Sequence, residues 1–306
     1  MKHIPILLEE TLTGLAIKSE GIYVDATLGR GGHSKAILEK LSHGHLYSFD
    51  LDIEAIKYAE KEISSQYSNF TPIHDNFSNL KEQLNIRNIQ TVDGVLFDLG
   101  VSSPQFDDPL RGFSYRFDAR LDMRMDQSQS LDAYQVVNSY SEEALANILW
   151  QYGEEKFSKA IAKAIVKARP IETTFQLVDV IKSALPQRVL RKKGHPAKQS
   201  FQAIRIEVNQ ELASIQTALE QAASILKPEG RLVVITFHSL EDRLVKQYFN
   251  HLSTPAKVDK RLPLLNEEII QFEHLTKKVI TPSNQEINEN PRAASAKARI
   301  LRKKGE

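Results

Sequence analysis

Ile22-Tyr23-Val24-Asp25-Ala26-Thr27-Leu28-Gly29-Arg30-Gly31-Gly32-His33-Ser34 decides the reading of this chain. Its apolar start predicts a short strand, its glycines a sharp turn, and the residues from Ser34 to Leu41 a helix. Glycine permits positive φ and lets a ligand approach a backbone without a Cβ in the way. A helix that opens after such a turn presents unpaired N–H groups. The spacing misses the dinucleotide fingerprint, because from Gly29 the third glycine position falls on Ser34. Asp25 beside the turn disfavours a pyrophosphate. A nucleoside-type ligand without phosphates fits better, and S-adenosylmethionine is the leading candidate. The bland alternative is a plain structural turn.

Working outward, His45–Asp50 predicts a second strand ending in an acid 19 residues beyond Gly31. Adenosine-binding α/β folds place a ribose-binding carboxylate there. Asp50 and Asp52 compete for that role, and the strand-end position favours Asp50. A helix over Ile53–Ile63 and a third strand over Phe70–Ile73 follow, with Phe77 placed to cap a purine or to fill core. Val92–Asp98 is a fourth apolar run ending in acid and glycine, followed by Val101-Ser102-Ser103-Pro104-Gln105. Strands alternating with helices predict a parallel α/β sheet with its ligand outside the strands' carboxyl ends. The Gly29–His33 turn, Asp50, Phe77 and Asp98 are expected to converge on one pocket.

The alternation then stops. Asp107–Gln129 reads as a charged loop rich in aromatics, and helices are expected at 131–138, 142–152, 154–168 and 174–185. This predicts a helical domain over 106–199 inserted in an α/β domain made of 1–105 and 200–306. Between Val180 and Ile206 stand Lys182, Arg188, Arg191, Lys192, Lys193, Lys198 and Arg205 without a single acid. In a chain whose formal net charge is only +1, such a run is either a solvated face or a phosphate-binding patch. A long helix is expected from Phe201 to Leu226, stopped by Lys227-Pro228-Glu229-Gly230, then a fifth strand over Arg231–His238. Lys277–Ile280 and Ala298–Leu301 are candidates for the last strands, Asn250–His274 carries no clear signal, and His3 is expected only to accompany a packing helix. His238 and Asp242 stand at the end of the fifth strand, His238 either as a satisfied strand-end histidine or as a substrate contact.

The chain has no cysteine, which excludes disulfides, thiolate zinc sites and cysteine nucleophiles. No 18-residue apolar run or leader-like segment is present, so a soluble cytoplasmic protein is expected.

Eight segments taken together carry a resemblance: Asp25–Ser34, Asp98–Gln105, Arg111-Gly112-Phe113-Ser114, Leu121–Asp126, His195-Pro196-Ala197, Phe201–Ile206, Phe237–Arg243 and Asn290-Pro291-Arg292-Ala293. In this order they resemble the RsmH (MraW) family of bacterial 16S ribosomal RNA cytosine-N4 methyltransferases, over nearly the whole chain. The resemblance implies a class I, Rossmann-like methyltransferase fold with S-adenosyl-L-methionine as cofactor. It implies a cytidine of 16S rRNA in the decoding centre of the small ribosomal subunit as target, and no metal. It places cofactor contacts on Gly31, Gly32, His33, Asp50, Phe77, Asp98 and Gln105. Ser102-Ser103-Pro104-Gln105 is similar to the proline-containing motif of amino-methyltransferases, in which a side-chain oxygen and a backbone carbonyl bracket the amine. Ser102, Ser103 and Pro104 are thus the expected catalytic residues. Arg111, Phe113, Arg191, Lys192, Lys193, His195 and His238 are the expected RNA contacts, with Phe106, Phe113 and Tyr115 as candidates for stacking on the base. A DNA amino-methyltransferase, a nucleotide-dependent oxidoreductase and a non-catalytic ribosome-binding protein are the competing classes.

Overall fold

A computed structural model describes residues 5–255, 270–276 and 278–305. His3, Lys277 and most of the signal-poor stretch after Asn250 lie outside the described residues. Cα packing divides the chain into two compact units, Met1–Gly100 with Leu212–Glu306, and Val101–Glu211. The insert expected at 106–199 falls within the second.

The first unit is built on seven strands: β1 (Ile22–Asp25), β2 (His45–Asp50), β3 (Phe70–His74), β4 (Val92–Asp98), β5 (Leu226–Thr236), β6 (Phe272–His274) and β7 (Lys297–Lys303). Their order is β3-β2-β1-β4-β5-β7-β6. The first five run parallel, with Val24 opposite Tyr47 and Val95, and Leu96 opposite Val233. β7 returns antiparallel beside β5, and β6 antiparallel beside β7. The sequence pattern forces a sheet covered on both sides. Side chains alternate across a strand, yet neighbours such as Tyr23 and Val24, Leu96 and Phe97, or Val233 and Val234 are all buried. Val24, Phe97 and Val234 join a core that includes Ile215, Leu219 and Phe249. Tyr23, Leu96 and Val233 join another with Leu15, Ile37 and Ile63.

Helices α1 (Leu8–Leu15), α2 (Gly32–Leu38), α3 (Ile53–Glu62) and α4 (Leu80–Ile86) belong to this first unit. The second unit is helical: α5 (Ser103–Asp107), α6 (Ala133–Ser139), α7 (Glu142–Gly153), α8 (Ser158–Ala168), α9 (Thr174–Ala184), α10 (Gln187–Leu190) and α11 (Lys198–Asn209). It has its own core, with Leu121, Val137, Leu149, Ile161, Leu177 and Ile204 all inaccessible to solvent. α12 (Glu211–Ile225), α13 (Ser239–Ser253) and α14 (Asn284–Glu289) complete the chain.

Three expectations are corrected here. The helix expected over Phe201–Leu226 is two helices, because Gln210 takes φ 50° and ends α11. The Lys227–Gly230 turn forms a bulge inside β5, where pairing slips between Val92 and Gly94 and Glu229 takes φ 66°. The strand expected at 277–280 reduces to a single bridge from Ile280 to Ala298, and the last partner of β7 is instead Phe272–His274.

Candidate functional site

The parallel register brings the carboxyl ends of β3, β2, β1 and β4 to one edge of the first unit's sheet. There the chain leaves β1 through Gly29–His33, β2 through Asp50, β3 toward Phe77 and β4 through Asp98. Backbone bonds continue the sheet past the strand ends, with Ala26 N donating to Leu96 O and Leu28 N to Phe49 O, both at 2.8 Å. This ties the glycine turn to both neighbouring strands. Gly31 caps α2 at φ 69°, and a Cβ there would lie 2.3 Å from Ile63 Cδ1. Any side chain at 31 meets both backbone strain and the core.

Asp50 accepts from Gly29 N through Oδ2 and from Asp52 N through Oδ1, each at 2.8 Å. Each oxygen keeps a lone pair, which suits a vicinal diol. Burial, opposed by these two N–H donors, pushes its carboxyl up to about 6. Asp52 has different work. It is buried and its side chain caps α3, accepting from Glu54 N at 3.1 Å. Asp52 is thus occupied as a helix cap, whereas Asp50 stands at the strand end beside the glycine turn.

Asp25, beside the turn, is an interior residue. It is 1% exposed and accepts from Ser34 Oγ at 2.6 Å and Thr27 N at 3.1 Å. Ser34 in turn lies 3.0 Å from Ser48 Oγ on β2. Burial raises the Asp25 carboxyl, and the Ser34 and Thr27 donors moderate that rise. Asp25 is an internal brace beneath the turn. The signal for it was Ser34 itself, a small hydroxyl at the start of a helix that follows an acid-ending strand.

His33 is buried with Nε2 3.1 Å from the Ile6 carbonyl and Nδ1 3.5 Å from Asp98 Oδ2. Asp98 is held by its own backbone, whose N–H donates to Thr27 Oγ1 at 2.7 Å. Burial, with Asp25 and Glu241 adding negative potential, holds its carboxyl well above the usual range. Its Oδ1 is inaccessible and has no hydrogen-bond partner among the described residues. A buried polar atom left in that state is costly, so a ligand donor at this point would be favoured. Phe77 packs edge-on against Phe97, ring centroids 5.7 Å apart, and keeps part of its surface exposed. An orphaned acid, a carboxylate with free lone pairs, an aromatic edge and a glycine turn fit a nucleoside-type cofactor.

At the end of β5, His238 caps α13, its Nδ1 accepting from Glu241 N at 3.4 Å while Nε2 lies 3.1 Å from Glu241 Oε1. Glu241, fully buried, accepts from Phe237 N and His238 N. Its Nδ1 is thus used as a cap, while the buried Nε2 makes no hydrogen bond among the described residues. Asp242 is likewise engaged, by Arg299 at 2.8 Å and Lys297 at 3.2 Å.

The second unit opens with the serine–proline segment. Ser102 caps α5, Pro104 occupies its first turn, and Gln105 is buried with Oε1 accepting from Ser102 N at 3.1 Å. Proline at that position fixes φ and costs no helical hydrogen bond. Arg111 and Phe113, expected on the RNA surface, are interior. Arg111 donates through one terminal nitrogen to the Arg124 and Met125 carbonyls, both at 2.9 Å, and Phe113 is 3% exposed in the helical core. Their burial makes them organisers of the 106–129 loop. Phe106 and Tyr115 are also drawn into that core, each only partly buried.

Arg188, Arg191, Lys192 and Lys193 are exposed and form no ion pair among the described residues. His195 stacks on Tyr115 at 4.2 Å and 8°. Burial, with Lys182 and Arg116 nearby, lowers its pKa. At neutral pH it therefore anchors the basic run without adding charge. No helix among the described residues is long and apolar enough to cross a membrane.

The sequence matches the model of the MraW methylase family over residues 1–304. It is 54% identical to ribosomal RNA small subunit methyltransferase H of Oenococcus oeni, covering 98% of each chain. It is 52% identical to the protein of the same name from Spiroplasma kunkelii, again over 98% of each. Among solved structures, a methyltransferase from Streptococcus mutans in complex with SAH is a distant likeness. It shares 14% identity at a TM-score of 0.44, covering 98% of this chain and 99% of that one.

Proposed function

Because the chain belongs to the MraW methylase family, we propose that it transfers a methyl group from S-adenosylmethionine to the N4 amine of a cytidine in 16S rRNA. The observation that carries this reading is the single sheet edge holding the Gly29–His33 turn, Asp50, Phe77 and Asp98. Asp50 would accept the ribose hydroxyls, Phe77 would pack against the purine, and the partly exposed Asp98 carboxyl would take a donor on the adenosine. The backbone at Gly31 and Gly32 would leave room for the rest. Gln105, given as a cofactor contact by the family likeness, would act with its amide NH₂, since its Oε1 is engaged by Ser102 N. When bound, S-adenosylmethionine supplies an electrophilic sulfonium methyl.

The chain's remaining task is to prepare the nucleophile. The cytosine N4 lone pair is delocalised into the ring, and an acceptor that draws an N4–H out of plane localises it. In this reading the Ser102 or Ser103 oxygen and a carbonyl held rigid by Pro104 are those acceptors. Fixed dipoles of this kind act most strongly where water is excluded. In-line positioning at about 3–3.5 Å would lower the barrier by several kcal/mol. The cytidine must be unpaired or extruded to be reached. The exposed Arg188, Arg191, Lys192 and Lys193 would hold phosphates.

Transfer of radiolabelled methyl from S-adenosylmethionine to unmodified small subunits and to naked 16S RNA tests the proposal. Label in the RNA, with a raised KM for S-adenosylmethionine in Asp50→Asn, supports it. Label in DNA but in neither RNA substrate would return the assignment to the DNA alternative.

A further inference from the structure

Outside the sheet edge and the basic run, the second unit carries an exposed feature that neither uses. The chain's only tryptophan, Trp150, stands near the end of α7 with 59% of its surface exposed. It borders a groove of about 510 Å³ together with Ala146, Asn147, Lys156, Phe157 and Lys159. From the groove a row of lysines runs along α8. Lys159, Lys163 and Lys167 recur every four residues, so they share one face about 6 Å apart, opposite the buried Ile161, Ala162 and Ile165.

All four lysines are exposed, and none makes an ion pair or hydrogen bond among the described residues. Between Ala144 and Pro170 the only acids are Glu154 and Glu155. Glu155 is turned inward, buried and accepting from Phe157 N at 2.9 Å. Arg169, the next cation along the chain, is turned inward, onto the Val137 and Tyr140 carbonyls. In a chain of net charge +1, four lysines without ion pairs, with Glu154 the one exposed acid of the stretch, stand beside one exposed indole as a local concentration of positive charge.

We infer that Trp150 with Lys156, Lys159, Lys163 and Lys167 is a second RNA-docking strip, on which an unstacked base lies against the indole while the following phosphates track α8. The partner class follows from the pairing. An aromatic platform and a row of cations are what a single strand requires, since every base has a π-face and every phosphate a charge. The strip rests on the proposed function for its biological partner and extends it to an RNA segment other than the one that carries the target base.

Titration of the full chain with a single-stranded oligoribonucleotide, followed by its lone tryptophan's emission between 50 and 200 mM salt, tests the strip. Quenching should saturate. Replacing Lys159, Lys163 and Lys167 with alanine should flatten the plot of log K against log salt by about 2, and arginine at the same positions should restore it. Trp150→Ala, followed by anisotropy of labelled RNA, should weaken binding on the order of tenfold. In methyl transfer the alanine variant should raise KM and leave kcat unchanged. Binding of labelled RNA without quenching, or an unchanged slope in the alanine variant, overturns the strip and leaves the methyltransferase reading intact. Quenching and slope without methyl transfer does the reverse. Polyglutamate that quenches with the same salt slope as RNA overturns the assignment to RNA in favour of an acidic protein.

Discussion

Protonation of Asp50 should uncouple cofactor affinity from fold stability, in opposite directions. The carboxyl is pushed up to about 6 by burial while Gly29 N and Asp52 N favour its charged form. With that value it is about nine-tenths ionised at pH 7 and about one-tenth at pH 5, where its capacity to accept from a ribose diol falls accordingly. Affinity for S-adenosylmethionine should therefore weaken up to about tenfold over those two pH units, or about 1.4 kcal/mol. Stability runs the other way. An acid whose folded pKa exceeds its unfolded value binds more protons when folded between about pH 4 and 6. Its contribution is thus greatest below pH 4 and is lost as pH rises through 6, by roughly 3 kcal/mol in total. Calorimetric titration from pH 5 to 7.5 measures the affinity, and Asp50→Asn supplies the control, binding weakly with a flat profile. A wild-type affinity that varies less than twofold, or an Asn variant with the same slope, refutes the reasoning. The latter would move the titration to another acid of the edge, with Asp98 the first to examine.

Gly31→Ala should cost roughly 2–4 kcal/mol in urea unfolding, the sum of left-handed strain at φ 69° and the clash with Ile63 Cδ1; a loss below 1 kcal/mol would mean the turn relaxes freely. Arg111→Ala should destabilise by about 1–3 kcal/mol, because two part-buried carbonyls lose a charged donor, and hydrogen exchange should rise at the 106–129 loop rather than in the sheet. Replacing Arg191, Lys192 and Lys193 with alanine should weaken RNA binding and flatten its salt dependence by about 2 with cofactor affinity unchanged; an unaltered slope would remove that run from the interface.

Much of the first unit was legible because β1, β2 and β4 announce themselves twice, by a largely apolar run and by an acid at the carboxyl end. Val92–Asp98 is the clearest case, and it stands where it was expected. β6 was not legible: three residues, Phe-Glu-His, carry no alternation long enough to register, and only the backbone of β7 defines them. The break at Gln210 was hidden for a different reason. Glutamine is a good helix former with no signal for the left-handed conformation it takes there, so the apolar period ran on across it. Asp25 and Arg111 show the limit for charged residues. Sequence identifies an ionisable group near a site, but the hydroxyl of Ser34 and the carbonyls of Arg124 and Met125 determine whether it faces inward.

The central claim, methylation of cytosine N4 in small-subunit RNA, is tested most directly by nucleoside mass spectrometry of unmodified small subunits incubated with this protein and S-adenosylmethionine. N4-methylcytidine should appear at one position. A methyl group on another base, or on a cytidine atom other than N4, would contradict it and remove the role given to Ser102, Ser103 and Pro104.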